Sequence, residues 1–323
     1  MYLRIKRERV SGFQRDIKAF VAAFYVIITG IFRFGVNNGK LVDSFFDLVK
    51  EVGIIHHVGG YGQLYNNVEV PVLGIGTFMI SPEDTEKSVY AALKLGYRMI
   101  DTANAYMNEE AVGKALKKAI NEGIVTREEV FVSTKIWATL YENENAVDDT
   151  LKRLDLDYVD LLFIHQPAGN YMAGYRMLEE AYKDGKAKSL GISNFEGEKL
   201  EKLLADSEIK PHVIQMEAHP YCTEKEIRDR LAEYGTATMG WYPLGHGDRG
   251  LVNEEVFTKL ADKYRKSNAQ IVLRWHTQMG FITGVFRGDR GRYYSEGSGK
   301  TGCGNHYSFL FCIEEVVGEV IGV

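Results

Sequence analysis

Proline is missing from long stretches of this 323-residue chain. All six prolines stand at positions 71, 82, 167, 211, 220 and 243, so the first seventy and last eighty residues have none. The middle therefore differs in character from its flanks. Cysteine is scarce, with Cys222, Cys303 and Cys312 only. An odd, sparse set excludes a disulfide scaffold and suits a reducing compartment, so a cytoplasmic location is expected. Cys303, His306 and Cys312 lack the fourth ligand of a structural zinc site, so no metal is expected. There is no excess of positive charge. The formal net charge of −5 speaks against a protein built to coat nucleic acid. No apolar run is long enough to span a bilayer. The longest, "AFVAAFYVIITGIF" (19–32), follows a basic stretch but has fourteen residues where a span needs about 20. It is read as a packed amino-terminal helix or an extension, not as an anchor.

Two nucleotide-binding signatures are incomplete. Gly299-Lys300-Thr301 resembles the end of a phosphate-binding loop, but the glycine required five positions earlier is Tyr294, and no strand pattern leads in. The first strand of the middle region ends in Gly74-Ile75-Gly76 without the third glycine of a dinucleotide-binding turn. A triphosphate-binding loop and an open doubly wound sheet are both disfavoured.

What is present is alternation. Short, apolar, β-branched runs recur at 71–76, 97–101, 130–135, 160–165, 187–193, 212–218, 237–242 and 281–286. Amphipathic stretches such as "PEDTEKSVYAALKLG" and "NEEAVGKALKKAINEG" separate them, acidic at the start and closed by glycine, the usual helix signals. Eight apolar strands alternating with helices predict a closed (β/α)8 barrel, the TIM barrel.

The chemistry of such barrels gathers at the carboxyl ends of the strands. Three successive strands end in ionisable residues: Asp101, Lys135 and His165, with Tyr106 in the loop after Asp101. Singly, these residues suit a cap, a solvated lysine and a structural histidine. Together on one face they suit proton donation to a carbonyl oxygen. A free tyrosine titrates near about 10, and an ammonium beside it is expected to lower that value. Lys135 would supply the charge, Asp101 would hold Lys135, and His165 would orient the substrate oxygen. No nucleophile with an adjacent base is evident, so hydride attack on the carbonyl carbon is the fitting complement.

The blocks "LGYRMIDTANAYMNEEAVGKAL", "STKIW", "LLFIHQP", "GISNF" and "IQMEAHPY" resemble the aldo-keto reductases. The likeness is greatest to the bacterial branch acting on diketogluconate-like and other small carbonyls, and it runs over about residues 64–283. It implies a TIM barrel using NADPH, with NADH as the alternative, in which Asp101, Tyr106, Lys135 and His165 form the catalytic tetrad and Tyr106 is the acid. It implies further that Ser193, Asn194 and Gln215 bind the nicotinamide carboxamide, that Trp241 stacks on the nicotinamide ring, and that Leu244 and Gly245 pass the pyrophosphate. Phe78, Trp137 and His165 would line the substrate pocket. The expected protein is a monomer reducing small aldehydes, ketones or keto sugars.

The pattern stops after the eighth strand. Where relatives carry a Lys-Ser pair, an Arg and an Asn that grip the adenosine phosphate, this chain has "TGVFRGDRGRYYSEGSGKTGCGNHYSFLF". Arg287, Arg290, Arg292 or Lys300 would have to replace that grip. The division expected is an unmatched extension over 1–63, a barrel over 64–286 and an atypical tail over 287–323, with a normal eighth helix lacking. So abrupt a loss of pattern reads as a frame change in the coding sequence, which resequencing of the gene would test. Reduced stability and weakened cofactor affinity would follow, and the alternative function is a catalytically impaired barrel acting as a binding or regulatory subunit.

Overall fold

The computed structural model describes residues 60–245 and 250–285. Residues 1–59 of the extension expected over 1–63, the tail expected over 287–323, the eighth helix expected to be lacking and the cations Arg287, Arg290, Arg292 and Lys300 lie outside them.

A hairpin comes first. β1 (Tyr61–Gln63) pairs antiparallel with β2 (Glu69–Pro71) across a turn in which Asn67 adopts φ 67°. Asparagine tolerates this left-handed conformation better than most residues, which suits it to the turn.

The barrel strands follow in order. They are β3 (Leu73–Gly76), β4 (Met99–Asp101), β5 (Phe131–Ile136), β6 (Leu161–Ile164), β7 (Leu190–Ser193), β8 (Val213–Glu217), β9 (Ala237–Trp241) and β10 (Ile282–Val285). Each is hydrogen-bonded in parallel to its sequence neighbour, and β10 closes the ring on β3. All eight expected runs are therefore strands, mostly shorter by one to three residues than the apolar pattern. Several trimmed residues, among them Val72, Val130, Ala187 and Phe281, are buried beyond the ends of the ladder, and Ala187 still forms an isolated bridge with Val159.

Between the strands lie α1 (Pro82–Lys94), α2 (Glu109–Asn121), α3 (Ala146–Leu154), α4 (Tyr171–Lys183), α5 (Gly197–Asp206) and α6 (Lys225–Leu231). Before β10 come α7 (Glu255–Tyr264) and α8 (Asn268–Gln278). Ser81 caps α1 by accepting the Asp84 amide, and Pro82 occupies the first turn, where its missing N–H is no loss. Ser267 and Gln270 form a reciprocal capping box on α8. Gly96 (φ 92°) and Gly123 (φ 68°) turn the chain beyond α1 and α2, as their positions in the sequence anticipate.

Two apolar layers result. The barrel interior is filled by Met99, Phe131, Leu161, Phe163, Val213, Met239 and Ile282. Leu64 and Val70 of the hairpin segment join this cluster, packing beside first residues of strands, so the hairpin stoppers the amino-terminal end. The outer layer packs Ile75, Ile100, Val132, Ile164 and Ile192 of the strands against the helices. With one end stoppered, the carboxyl ends of the strands are the end where chemistry is expected. No helix among the described residues is long and apolar enough to cross a membrane.

Candidate active site

Asp101 is the last residue of β4, Lys135 lies one residue before the end of β5, and His165 directly follows β6. Tyr106 closes a short 3-10 turn (Asn104–Tyr106) after β4, and Met107 behind it takes a left-handed conformation that ends the turn. The four expected residues therefore converge on one end of the barrel.

Lys135 is fully buried. Its Nζ donates to Asp101 Oδ2 at 2.7 Å and to the Thr102 carbonyl at 2.9 Å, and it lies 5.1 Å from the centre of the Tyr106 ring. Burial works against the ammonium, but Asp101 and Tyr106 outweigh it, so the Lys135 pKa lies above the ordinary lysine value. Asp101 receives two further bonds, from Ser133 Oγ to Oδ1 at 2.6 Å and from Gln215 Nε2 to Oδ2 at 3.3 Å.

The expected lowering of the Tyr106 pKa needs correction. Lys135 does pull it down, but desolvation is the larger effect and Asp101 opposes Lys135, so the pKa is raised above 10.0. Tyr106 is held as a neutral phenol with an ammonium beside it. Burial, with a smaller contribution from Lys135, pushes His165 down to about 3, so its ring is neutral at ordinary pH. Its buried Nδ1 has no hydrogen-bond partner among the described residues. An unpaired buried N–H costs more than an unpaired lone pair, so the proton belongs on Nε2.

The expected pocket aromatics adjoin these groups. Phe78 lies 5.0 Å, ring to ring, from Tyr106, and Trp137 lies edge-on to His165 at 4.9 Å. Tyr242, which the sequence reading passed over, meets Phe78 at 6.3 Å and extends the same wall.

The expected cofactor residues form a second group on the adjoining strand ends. Ser193 pairs in register with Gln215 across β7 and β8, and Trp241 ends β9. Asn194 sits at φ 62° just past β7, where Trp241 Nε1 donates to its Oδ1 at 2.9 Å. Leu244 packs against the core while Gly245 adopts φ 65°, and residues 246–249 of the loop they lead into lie outside the described residues.

Ser133 and the Thr102 carbonyl were not foreseen. A signal for Ser133 exists: it stands two residues before Lys135, and alternate residues of a strand share a face. No comparable signal marks a backbone carbonyl. Among the described residues, no group of three or more His, Cys, Asp or Glu side chains is placed to hold a metal ion.

Comparison with known proteins finds relatives in sequence and in fold. Glyoxal reductase of Bacillus subtilis (strain 168) is 45% identical over 226 residues, which cover 68% of this chain and 80% of the relative. Methylglyoxal reductase DkgA of Escherichia coli (strain K12) is 39% identical over 217 residues, covering 66% and 78%. Among solved structures, a Bombyx mori aldo-keto reductase in complex with NADP aligns with a TM-score of 0.68 at 32% identity, covering 72% of this chain and 85% of that one. An aldo/keto reductase from Brucella melitensis aligns with a TM-score of 0.65 at 37% identity, covering 71% and 89%. The sequence pattern of the Aldo/keto reductase family spans residues 72–290, and with it the barrel, its closing strand and the polar cluster at the carboxyl ends of its strands: the chain belongs to that family.

Proposed function

We propose that this protein reduces small aldehydes, ketones or keto sugars to alcohols with NADPH, Tyr106 acting as the proton donor. The observation that carries the reading is the fully buried Lys135 ammonium, paired with Asp101 and set against the Tyr106 ring. Burying a charge is costly unless it is paired. Here the ammonium is kept beside the Tyr106 phenol.

The side chains at the cofactor positions suit a nicotinamide. Trp241 occupies the Asn194 amide oxygen and so turns the Asn194 NH2 outward as a donor. Asp101 occupies the Gln215 NH2 and leaves Gln215 Oε1 as an acceptor. One donor and one acceptor on adjacent strand ends match the oxygen and the NH2 of a primary carboxamide. Asn194, Gln215 and Ser193 would hold that group, with Trp241 as the platform for the ring. When bound, the reduced nicotinamide supplies a hydride to the carbonyl carbon.

The chain's own groups do the rest. His165 Nε2–H orients the substrate oxygen without itself titrating. Tyr106 Oη releases its proton to that oxygen as negative charge develops there. The phenolate left behind faces the Lys135 ammonium, whose attraction for a developing anion is strong in a dry site. Phe78, Trp137 and Tyr242 wall the mouth and favour compact substrates, in keeping with the relatives named for glyoxal and methylglyoxal.

Tyr106→Phe tests the assignment. General acid catalysis contributes about 10²–10⁴-fold, so NADPH oxidation with methylglyoxal should slow by that factor while the NADPH Kd stays within about twofold. An unchanged rate would remove Tyr106 from the role.

A further inference from the structure

Two residues that the proposed reaction does not use directly, Asn108 and Glu109, are buried at the centre of the loops that carry the tetrad. Asn108 is 1% exposed and Glu109 2% exposed, although both follow closely on the solvent-facing Met107. Neither fits a surface role.

The Asn108 carboxamide is saturated. Its Nδ2 donates to the Thr77 carbonyl at 2.8 Å and the Ile80 carbonyl at 3.1 Å, with Thr85 Oγ1 at 3.2 Å. Its Oδ1 ends a chain of hydroxyls: Thr77 Oγ1 donates to Thr102 Oγ1 at 2.9 Å, and Thr102 Oγ1 donates to Asn108 Oδ1 at 3.1 Å. One side chain thus ties together the loop after β3, the residue following Asp101, and the turn that ends in Tyr106.

Glu109 makes the complementary attachment. Its Oε1 accepts from Thr134 Oγ1 at 2.6 Å, and its Oε2 accepts from Arg153 Nε at 2.7 Å. Thr134 is the neighbour of Lys135 on β5. Thr102, bonded to Asn108 by its hydroxyl, offers its carbonyl to Lys135 Nζ. The two consecutive residues therefore reach both strands that carry the ion pair, while sitting two and three positions beyond Tyr106.

We infer that Asn108 and Glu109 form a positioning clasp, which fixes the Tyr106 hydroxyl against Lys135 and presents the Thr102 carbonyl to the ammonium. The inference deepens the reductase reading and rests on it. The physical ground is that a proton donor on a three-residue turn has little stiffness of its own. A single 3-10 turn has few and poorly aligned backbone hydrogen bonds, and here the Tyr106 amide donates to the Ala103 carbonyl at 3.0 Å. Rigidity must come from what the turn is tied to, and these side chains are the ties.

The clasp is tested with Asn108→Ala, Thr102→Val and Thr102→Ser, using NADPH and methylglyoxal as probes. Misplacing reacting atoms by about 1 Å can cost about 10²-fold. Asn108→Ala should therefore lower kcat about 10- to 100-fold, and Thr102→Val about tenfold, each with KM for methylglyoxal within about twofold. Thr102→Ser restores the donating hydroxyl and should return kcat to within about twofold of the parent. Thr236→Val is the control. It removes a buried hydroxyl bond, to the Pro211 carbonyl at the opposite end of the barrel, and should leave kcat unchanged. Hydrogen exchange of residues 101–107, read by mass spectrometry, should quicken in Thr102→Val and not in Thr236→Val.

Undiminished kcat in Thr102→Val, or failure of Thr102→Ser to restore it, overturns the clasp. An equal loss of kcat in Thr236→Val also overturns it, because general loosening would then suffice. If Asn108→Ala does not fold, the Thr102 pair decides. If the parent protein itself fails to oxidise NADPH, the reductase reading falls, and exchange over 101–107 that is the same in all variants refutes the clasp separately.

Discussion

Tyr106, Lys135 and His165 have protonation states that follow from burial more than from contact. The ammonium beside Tyr106 is the feature a sequence reader notices, and it does favour the phenolate, yet desolvation of the phenol is larger. His165 is driven to about 3 by the same cause. Neither group changes charge near neutrality. The rate of carbonyl reduction is therefore expected to stay level between about pH 5.5 and 8, falling only in the alkaline range where Tyr106 begins to lose its proton. Steady-state kcat across that range checks this. An inflection near the ordinary histidine value of about 6.5 would show His165 titrating and would refute its neutral role. That Asp101, Tyr106, Lys135 and His165 gather at one end of the barrel was legible in the sequence, because strand-end positions can be counted. The protonation states were not, because desolvation depends on neighbours distant in sequence.

Element by element, the helices and strands were the most legible part of the molecule. The acidic start of "PEDTEKSVYAALKLG" and its closing Gly96 announce the two ends of α1, and the apolar runs announce the strands. The hairpin β1–β2 was missed, although Asn66-Asn67 between "YGQLY" and "VEVP" carries a turn signal, since three-residue strands leave almost no periodicity to read. How the helices touch was also hidden. A Cβ added to Gly113 of α2 would stand 2.4 Å from the Leu154 carbonyl at the end of α3, so that glycine is there for close approach and not for a turn. Replacing a helical glycine by alanine ordinarily gains up to about 1 kcal/mol. Gly113→Ala should instead destabilise by roughly 1–3 kcal/mol, the usual cost of overpacking a site that cannot yield. Urea unfolding measures it, and a variant as stable as the parent would show that α3 shifts without cost.

For the whole molecule, several buried neutral histidines set the response to acid. His165 is pushed down to about 3 and His212 to about 4, both chiefly by burial, and His276 is lowered as well. His212 is enclosed between the rings of Tyr65 and Tyr182 and accepts the Leu190 amide through Nδ1. The sign follows from proton counting. Below the ordinary value of 6.5 the unfolded chain binds protons at these sites that the folded chain does not, so stability falls as pH falls. Glu109, whose pKa burial raises, acts in the opposite sense but nearer the carboxylate range. The urea midpoint should therefore drop between about pH 7 and 5.5, before carboxylates titrate. An equal midpoint at both values would contradict the burial of these rings.

The order of elements, the barrel and the placing of Asp101, Tyr106, Lys135 and His165 at one end of it were determined by the sequence alone, since periodicity and helix punctuation are local properties and a parallel barrel numbers its own strand ends. Three matters were decided only in the tertiary structure. Asn194 and Gln215 are turned by Trp241 and Asp101 so that one offers a donor and the other an acceptor. Ser133 and the Thr102 carbonyl complete the bonding of the ion pair. Asn108 and Glu109 bind three strand ends to the turn that holds Tyr106. Each includes a bond between residues 25 or more positions apart, brought to about 3 Å, the distance at which a hydrogen bond forms. Such bonds have no period in a sequence, because the fold and not the chain order chooses the partners.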